Sequence, residues 1–260
     1  MVAGAALSTM SVPAVHAAGE QRLKVALIGC GGRGSGALAN NVEAGKHLGI
    51  EIEVVATADP VKEKAVGTGA KYGVPEERCF GGFSGYKQLL QAGPDLVLMA
   101  TPPNFRPVHL KAAVAAGKHV FMEKPVAVDA PGARDIIASG EEAKKKGLAI
   151  VAGTQRRHQA SYLKQAFAIQ NGDLGQIMGG TVSWCMGRLW FKTRNPGESD
   201  ADYLVRNWVS FAEMSGDHIV EQHVHNIDVA NWYLNSPPIA AIGFGGRARR
   251  ETGNQYDFFS

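Results

Sequence analysis

From residue 23 onward the chain alternates short apolar runs with longer stretches whose apolar positions recur every three or four residues. The short runs read as buried strands and the amphipathic stretches as helices. Strands are predicted at residues 23–28 (LKVALI), 52–58 (IEVVATA), 96–100 (LVLMA), 119–122 (HVFM) and 148–152 (LAIVA), with a shorter run at 78–80. Helices are predicted from the glycine cluster after residue 28 to about 46, over 61–72, around 86–90, over about 107–116, and from Pro125 to 146. The runs are too short for helices and too apolar for exposed edges, so the alternation predicts a parallel sheet covered on both faces. Beyond Gly153 the pattern changes to a helix over 160–170, a strand at 181–184, a polar loop over 192–202 and a helix over 217–234. Two strand-like segments follow, at 239–244 and 256–259. Nothing comes after the last for it to pair with, so this second unit reads as incomplete and the sequence as a fragment of a longer chain.

The first nineteen residues stand apart. They contain no Asp, Glu, Lys or Arg, and Val15 and Ala17 put small side chains where an export signal cleaved after Ala17 would need them. A signal should open with positive charge and this stretch has none, which leaves a disordered leader as the alternative. Export to the periplasm is expected on the first reading and a cytoplasmic protein on the second. Pro13 interrupts a weakly apolar stretch, so no membrane-spanning helix is expected. For the rest, 27 Lys and Arg against 24 Asp and Glu leave a net charge of +3 with only short basic runs, so no nucleic-acid partner is expected. Cys30, Cys79 and Cys185 are odd in number and scattered, which suggests packing thiols and neither a disulfide framework nor a cysteine metal site. The 32 glycines follow no period and suit tight turns at strand ends.

The candidate chemistry lies at those strand ends. Gly29-Cys30-Gly31-Gly32-Arg33-Gly34 fits G-x-G-x-x-G directly after the first strand, where one glycine permits the turn, the next lets backbone approach a pyrophosphate and the third lets the helix pack closely. Asp59, 25 residues after Gly34, is spaced to accept ribose hydroxyls, and its charge favours NAD over NADP. It also reads as a helix N-cap with Pro60 at the first helical position. Thr101, Pro102 and Asn104 follow the 96–100 strand, and Glu123 and Lys124 follow the 119–122 strand, both at the carboxyl edge where open α/β sheets bind ligands. Pro125 permits a cis peptide that would turn the Lys124 side chain into the cleft. Arg156 and Arg157 are placed to reach a substrate carboxylate or phosphate, or else to cap the sheet edge. Trp184, Trp190 and Trp208 are candidates for stacking on a sugar face or for the core. Glu221, His225 and Asp228 are spaced i, i+4 and i+7 on one helix face, an arrangement suited to proton transfer by an imidazole with a neighbouring carboxylate to orient it. His218, Glu221, His223 and His225 invite a metal reading, but their spacing misses the zinc-helix patterns and no metal is expected.

Taken together, LKVALIGCGGRG, VVATADP, DLVLMATPPNFR, AAGKHVFMEKPVA and EQHVHNID resemble the glucose-fructose oxidoreductase, inositol dehydrogenase and rhizopine-catabolism (Gfo/Idh/MocA) family. The resemblance runs from Leu23 to the end, and GKHVFMEKP is its most diagnostic stretch. It implies the α/β class: a Rossmann dinucleotide-binding domain over 21–153, then over 154–260 an α+β domain with a large, mostly antiparallel sheet. It further implies hydride transfer between NAD(P) and a hydroxyl-bearing carbon of a sugar, cyclitol or related polyol. Lys124 matches the family's E-K-P lysine. In the family's D-x-G-x-H-x-x-D helix, Glu221 falls at the first acid, His223 at the glycine, His225 at the histidine and Asp228 at the last acid. Glu for Asp and His for Gly are departures from that pattern. The resemblance implies Lys124, His225, Glu221 and Asp228 as the catalytic set, with Lys124, Arg157 and His225 facing substrate. The cofactor set is then Gly29, Gly31, Gly32, Arg33, Gly34, Asp59, Thr101, Pro102, Asn104, Glu123 and Lys124. Relatives pair through the second domain's sheet, so a homo-oligomer is expected. Two rival readings remain: an NAD-dependent glycosidase of the same fold, and a non-catalytic nucleotide-binding or sensing protein.

Overall fold

The computed structural model describes residues 22–187, 189–248 and 253–259. The predicted leader, residues 1–20 with its cleavage site after Ala17, lies outside the described residues. Six strands, β1 (Arg22–Ile28), β2 (Glu51–Ala58), β3 (Cys79–Phe80), β4 (Leu96–Met99), β5 (His119–Met122) and β6 (Ile150–Ala152), form one sheet in the order β3-β2-β1-β4-β5-β6. Every neighbouring pair is parallel. Because successive side chains point to opposite faces, a strand covered on both sides must be apolar throughout. In β1 Ala26 and Ile28 enter one core with Val97, Met99, Val120 and Met122, while Val25 and Leu27 enter the other with Leu38 and Leu98. Each such Val or Leu contributes roughly 1.5–3 kcal/mol when fully buried, which penalises any slip in register.

The covering helices are α1 (Gly32–Leu48), α2 (Lys62–Gly69), α3 (Gly85–Gln91), α4 (Arg106–Ala115) and α5 (Ala130–Lys145). The stretch predicted as one helix over 61–72 tightens after Gly69 into a 3-10 turn, Ala70–Tyr72. Helix α5 begins later than predicted. The Asp129 side chain accepts from the Gly132 amide at 2.7 Å, a cap that starts the helix at Ala130 with Pro131 in its first turn.

Beyond β6 come α6 (Ala160–Gln170), α7 (Asp200–Arg206), α8 (Ala212–Ser215), a π-turn (Ile219–His223) and α9 (Val224–Leu234). Helix α7 begins inside the predicted loop because Ser199 caps the Asp202 amide at 3.1 Å. The predicted strands at 181–184 and 239–244 are not formed. A strand is defined by its partner, and among the described residues neither segment has one. The sheet of this second part is, among the described residues, a two-residue antiparallel pair of β7 (Gly245–Gly246) and β8 (Phe258–Phe259). Cys30 and Cys79 are buried as expected, whereas Cys185 is exposed and packs no core. No helix among the described residues is long and apolar enough to cross a membrane.

Candidate active site

Strand order reverses between β1 and β4, so the loops leaving their carboxyl ends diverge and open a crevice, the usual ligand site in such sheets. The β1 loop divides its glycines by task. Gly29 adopts φ +95°, and a Cβ there would meet the Ala100 and Thr101 backbone at 2.8–2.9 Å. At Gly34 a Cβ would lie 1.8 Å from the Gly29 carbonyl oxygen, which fixes how closely α1 packs on the turn. Beside Gly31 and Gly32 a Cβ would meet nothing within 4 Å. Helix α1 has Gly31 as N-cap with no side chain to cap it, so its first amides have no side-chain partner and lie beside that open space.

Asp59, at the end of β2, is buried; its Oδ2 accepts from the Cys30 amide at 2.9 Å and its Oδ1 from Val61 at 3.0 Å. It ties the glycine turn to the β2 loop and does not cap α2, whose N-cap is Val61. Beside it, burial and the Asp59 charge push the Cys30 thiol up to about 12.

At the end of β4, Thr101 is buried and its hydroxyl lies 3.4 Å from His109 Nδ1. Pro102 leads into a single 3-10 turn, Pro103–Phe105, in which Asn104 Nδ2 reaches the Met214 sulfur of α8 at 3.2 Å. Asn104 Oδ1 is buried without a partner, an unused acceptor on the loop that leaves β4. At the end of β5, Glu123 pairs with Arg33 of the glycine loop at 3.3 Å. The Lys124–Pro125 peptide is cis. Lys124 Nζ donates to the Glu221 carbonyl at 2.6 Å and to Glu221 Oε1 at 2.9 Å, in an ion pair whose side chains are 16% and 9% exposed.

The second part of the chain meets these loops through α9 and its π-turn. Arg157 forks onto Asp228 with three contacts of 2.8–3.0 Å, and Arg156 bonds the Asn226 side-chain oxygen. His225 is buried and stacks on Trp184, centroids 5.3 Å apart, with the Arg156 guanidinium 5.1 Å from the same indole. Neither carboxylate bonds the His225 ring, contrary to the expected orienting pair: Glu221 is held by Lys124 and Asp228 by Arg157. Burial, then the charges of Lys124 and Arg156, lower the His225 pKa to about 4 against the pull of Asp228. At neutral pH its imidazole is therefore neutral, the form that can accept a proton, and a weaker base than an ordinary histidine.

The structure thus brings Lys124, Glu221 and His225 to one place at the carboxyl edge of the sheet. It sets Arg157 and Asp228 beside them as a pair that satisfies itself. Among the described residues no cluster of three or more His, Cys, Asp or Glu could hold a metal. The sequence reading missed Arg106, buried and bonded to the carbonyls of Thr101 and Pro125. A signal was present: Arg106 falls on the stripe of α4 that also buries His109, Leu110 and Ala113, and a charge on such a stripe asks for a specific partner.

These features fit a dinucleotide: uncapped amides beside open space for a pyrophosphate, a buried carboxylate next to them, and an unpaired amide oxygen and a lysine farther along the edge. The family described as "Oxidoreductase family, NAD-binding Rossmann fold" matches residues 23–153. The chain is 28% identical to the inositol 2-dehydrogenase of Salmonella typhimurium over 219 residues, 82% of this chain and 55% of that protein. It is 23% identical to the scyllo-inositol 2-dehydrogenase (NAD(+)) of Bacillus subtilis over 195 residues, 74% and 49% of the two chains. In fold it resembles the WlbA dehydrogenase of Bordetella pertussis, solved with NADH and UDP-GlcNAcA, at a TM-score of 0.66 and 24% identity over 92% of this chain and 62% of that one. The chain spans about half the length of these curated relatives.

Proposed function

This chain belongs to the oxidoreductase family with the NAD-binding Rossmann fold, and from that premise we propose that the whole protein oxidises a hydroxyl-bearing carbon of a neutral polyol, with a cyclitol or sugar as substrate. The observation that carries the reading is the Lys124–Glu221 pair at the sheet's carboxyl edge beside the buried, neutral His225. The amides of Gly31, Gly32 and Arg33 would hold the pyrophosphate and Asp59 the ribose hydroxyls, with Thr101, Asn104 and Glu123 lining the nicotinamide end. The Asp59 carboxylate would repel a 2′-phosphate, which favours NAD over NADP. When bound, NAD supplies the two-electron acceptor for the carbinol carbon.

The chain's own residues handle the oxygen and its proton. An ammonium carries three N–H donors, and two on Lys124 go to Glu221; the third is available to the substrate oxygen, where it stabilises the charge that develops as the C–H bond breaks. Glu221 fixes the direction of that donor. His225 takes the hydroxyl proton. The cations that lower its pKa also oppose its keeping that proton, so the ring passes it on to solvent. The paired Arg157 and Asp228 hold α9 against the sheet. An inositol-like substrate is favoured by the names of the curated relatives and by this pairing, which already sets a carboxylate against the Arg157 guanidinium. The leader is read as an export signal on the strength of Val15 and Ala17, and N-terminal sequencing of the mature protein tests it.

Lys124→Ala in the full-length protein is expected to abolish NAD reduction with myo-inositol and other polyols while NAD affinity stays within a few-fold of wild type. Retained turnover rejects the assignment.

A further inference from the structure

Arg106 has no task in the mechanism above, although it lies beneath it. It is 3% exposed, donates to the Thr101 carbonyl at 2.7 Å and to the Pro125 carbonyl, and leaves its Nε buried without a partner. No carboxylate accepts from it. Burial draws its pKa down to about 10, offset in part by the more distant charges of Glu123 and Glu221. A buried cation bonded only to neutral carbonyls is costly, and an apolar side chain would fill the α4 stripe at lower cost. Packing alone therefore does not account for it.

The two carbonyls it grips belong to the loops that leave β4 and β5 at the sheet's carboxyl edge. Thr101 leaves β4, and Pro125 directly follows Lys124. The backbone before Lys124 is anchored by the Glu123 amide on the Met99 carbonyl at 2.9 Å. From Lys124 to Val128 no backbone group is tied to another backbone group among the described residues. The Arg106 guanidinium supplies the missing anchor on the far side of the lysine.

We propose that Arg106 is a positioning residue: its planar fork clamps the Thr101 and Pro125 loops at a fixed separation and so holds the Lys124 ammonium on Glu221 and within reach of the substrate oxygen. This rests on the proposed function for its catalytic consequence but not for its geometric one. The fork holds its two donors on separate nitrogens in one rigid plane, whereas a lysine offers all its donors from a single point at the end of a flexible stem. A displacement of the order of 1 Å at a reacting group can cost about 100-fold in rate.

The test uses the full-length protein with Arg106→Met, which keeps the apolar stem and loses the fork, and Arg106→Lys, which keeps the charge. With myo-inositol as probe, Arg106→Met is expected to lower kcat about 100-fold while KM and NAD affinity, read by fluorescence titration, stay within about threefold. Arg106→Lys is expected to fall between. Independently of turnover, brief acetylation followed by mass spectrometry compares Lys124, 16% exposed, with Lys46, 70% exposed, in the same molecule. Release of Lys124 in Arg106→Met should raise its relative labelling about tenfold. Unchanged kcat with unchanged Lys124 labelling overturns the proposal, as does a loss confined to NAD affinity. Should Arg106→Met not fold, Arg106→Gln, able to reach one carbonyl only, carries the same comparison with the same overturning results. Wild-type protein that binds NAD and turns over no polyol would defeat the function, and the labelling would still decide the clamp.

Discussion

A methyl group added at Gly34 would sit 1.8 Å from the Gly29 carbonyl oxygen, against backbone that cannot give way, whereas one added at Gly31 or Gly32 would touch nothing within 4 Å. Gly34→Ala should therefore push α1 off the turn, costing roughly 1–3 kcal/mol in urea unfolding and weakening NAD binding at least tenfold. Gly32→Ala should stay within about 0.5 kcal/mol of wild-type stability and act, if at all, on NAD affinity alone. Equal destabilisation by the two would show that the glycines are not divided by task. The turn at Gly29 and the close packing at Gly34 were legible in the sequence because they follow from backbone geometry, which the spacing of glycines after a strand dictates. Lys124 and Glu221 were likewise named from sequence, but their pairing was not. Helical spacing says which residues share a face, and it says nothing of what the facing loop presents. Hence the sequence reading gave His225 a carboxylate to orient it, while the structure gives both carboxylates to cations and stacks the ring on Trp184.

Among the elements, the π-turn Ile219–His223 is the joint on which the site depends, since Glu221 lies within it and His225 two residues beyond its end. Such turns recur at functional sites because they widen the helix and redirect a side chain. Its entry is fixed from a distant segment. Asp217, at φ 64°, accepts from the Tyr256 amide at 3.0 and 3.2 Å, and the fully buried Gln255 donates to Ser215 Oγ at 2.9 Å. Both contacts depend on Gly253, at φ +78°, where a Cβ would lie 1.9 Å from the Ser210 carbonyl oxygen. Gly253→Ala should loosen this strap, so that amides of residues 217–223 exchange hydrogen at least tenfold faster while those of β1 and β4 keep their wild-type protection. Uniform acceleration over the whole chain, or none, would contradict a local strap. The helices other than α7 and α8 were readable from the apolar period, and the six parallel strands from runs that serve two cores at once. The strands expected at 181–184 and 239–244 were not, because alternation assigns faces and leaves the partner unspecified. The π-turn carries no periodic signal that distinguishes it from the α-helix it interrupts.

At the scale of the whole molecule, Lys124 on the sheet's carboxyl edge is tied to Glu221, the turn that follows β6 is tied through Arg156 and Arg157 to Asn226 and Asp228 of α9, and the buried histidines nearby contribute to how that assembly responds to acid. His109, on α4 between Thr101, Tyr86 and Phe105, has its pKa lowered from 6.5 to about 4, by burial first and then by the Arg106 charge. His225 shifts the same way and to a similar value. Above about pH 6.5 each ring is neutral in the folded and unfolded chain alike, and neither biases the equilibrium. Between 6.5 and 4 the unfolded chain binds protons that the folded chain refuses, so stability falls as pH falls, and below about 4 these groups contribute no further change. For His109 alone the full drop is about 3 kcal/mol, from 1.36 kcal/mol per unit. Urea midpoints measured at pH 7, 5.5 and 4 should therefore decline more steeply for wild type than for His109→Gln. The variant should be less stable at pH 7 and should lose about 3 kcal/mol less on going to pH 4. Carboxylates titrate equally in both proteins and cancel in that difference. Parallel pH curves for the two would mean that the His109 ring takes up its proton in the folded state as readily as in the unfolded one, and that the floor of the candidate site is wetter than its burial implies.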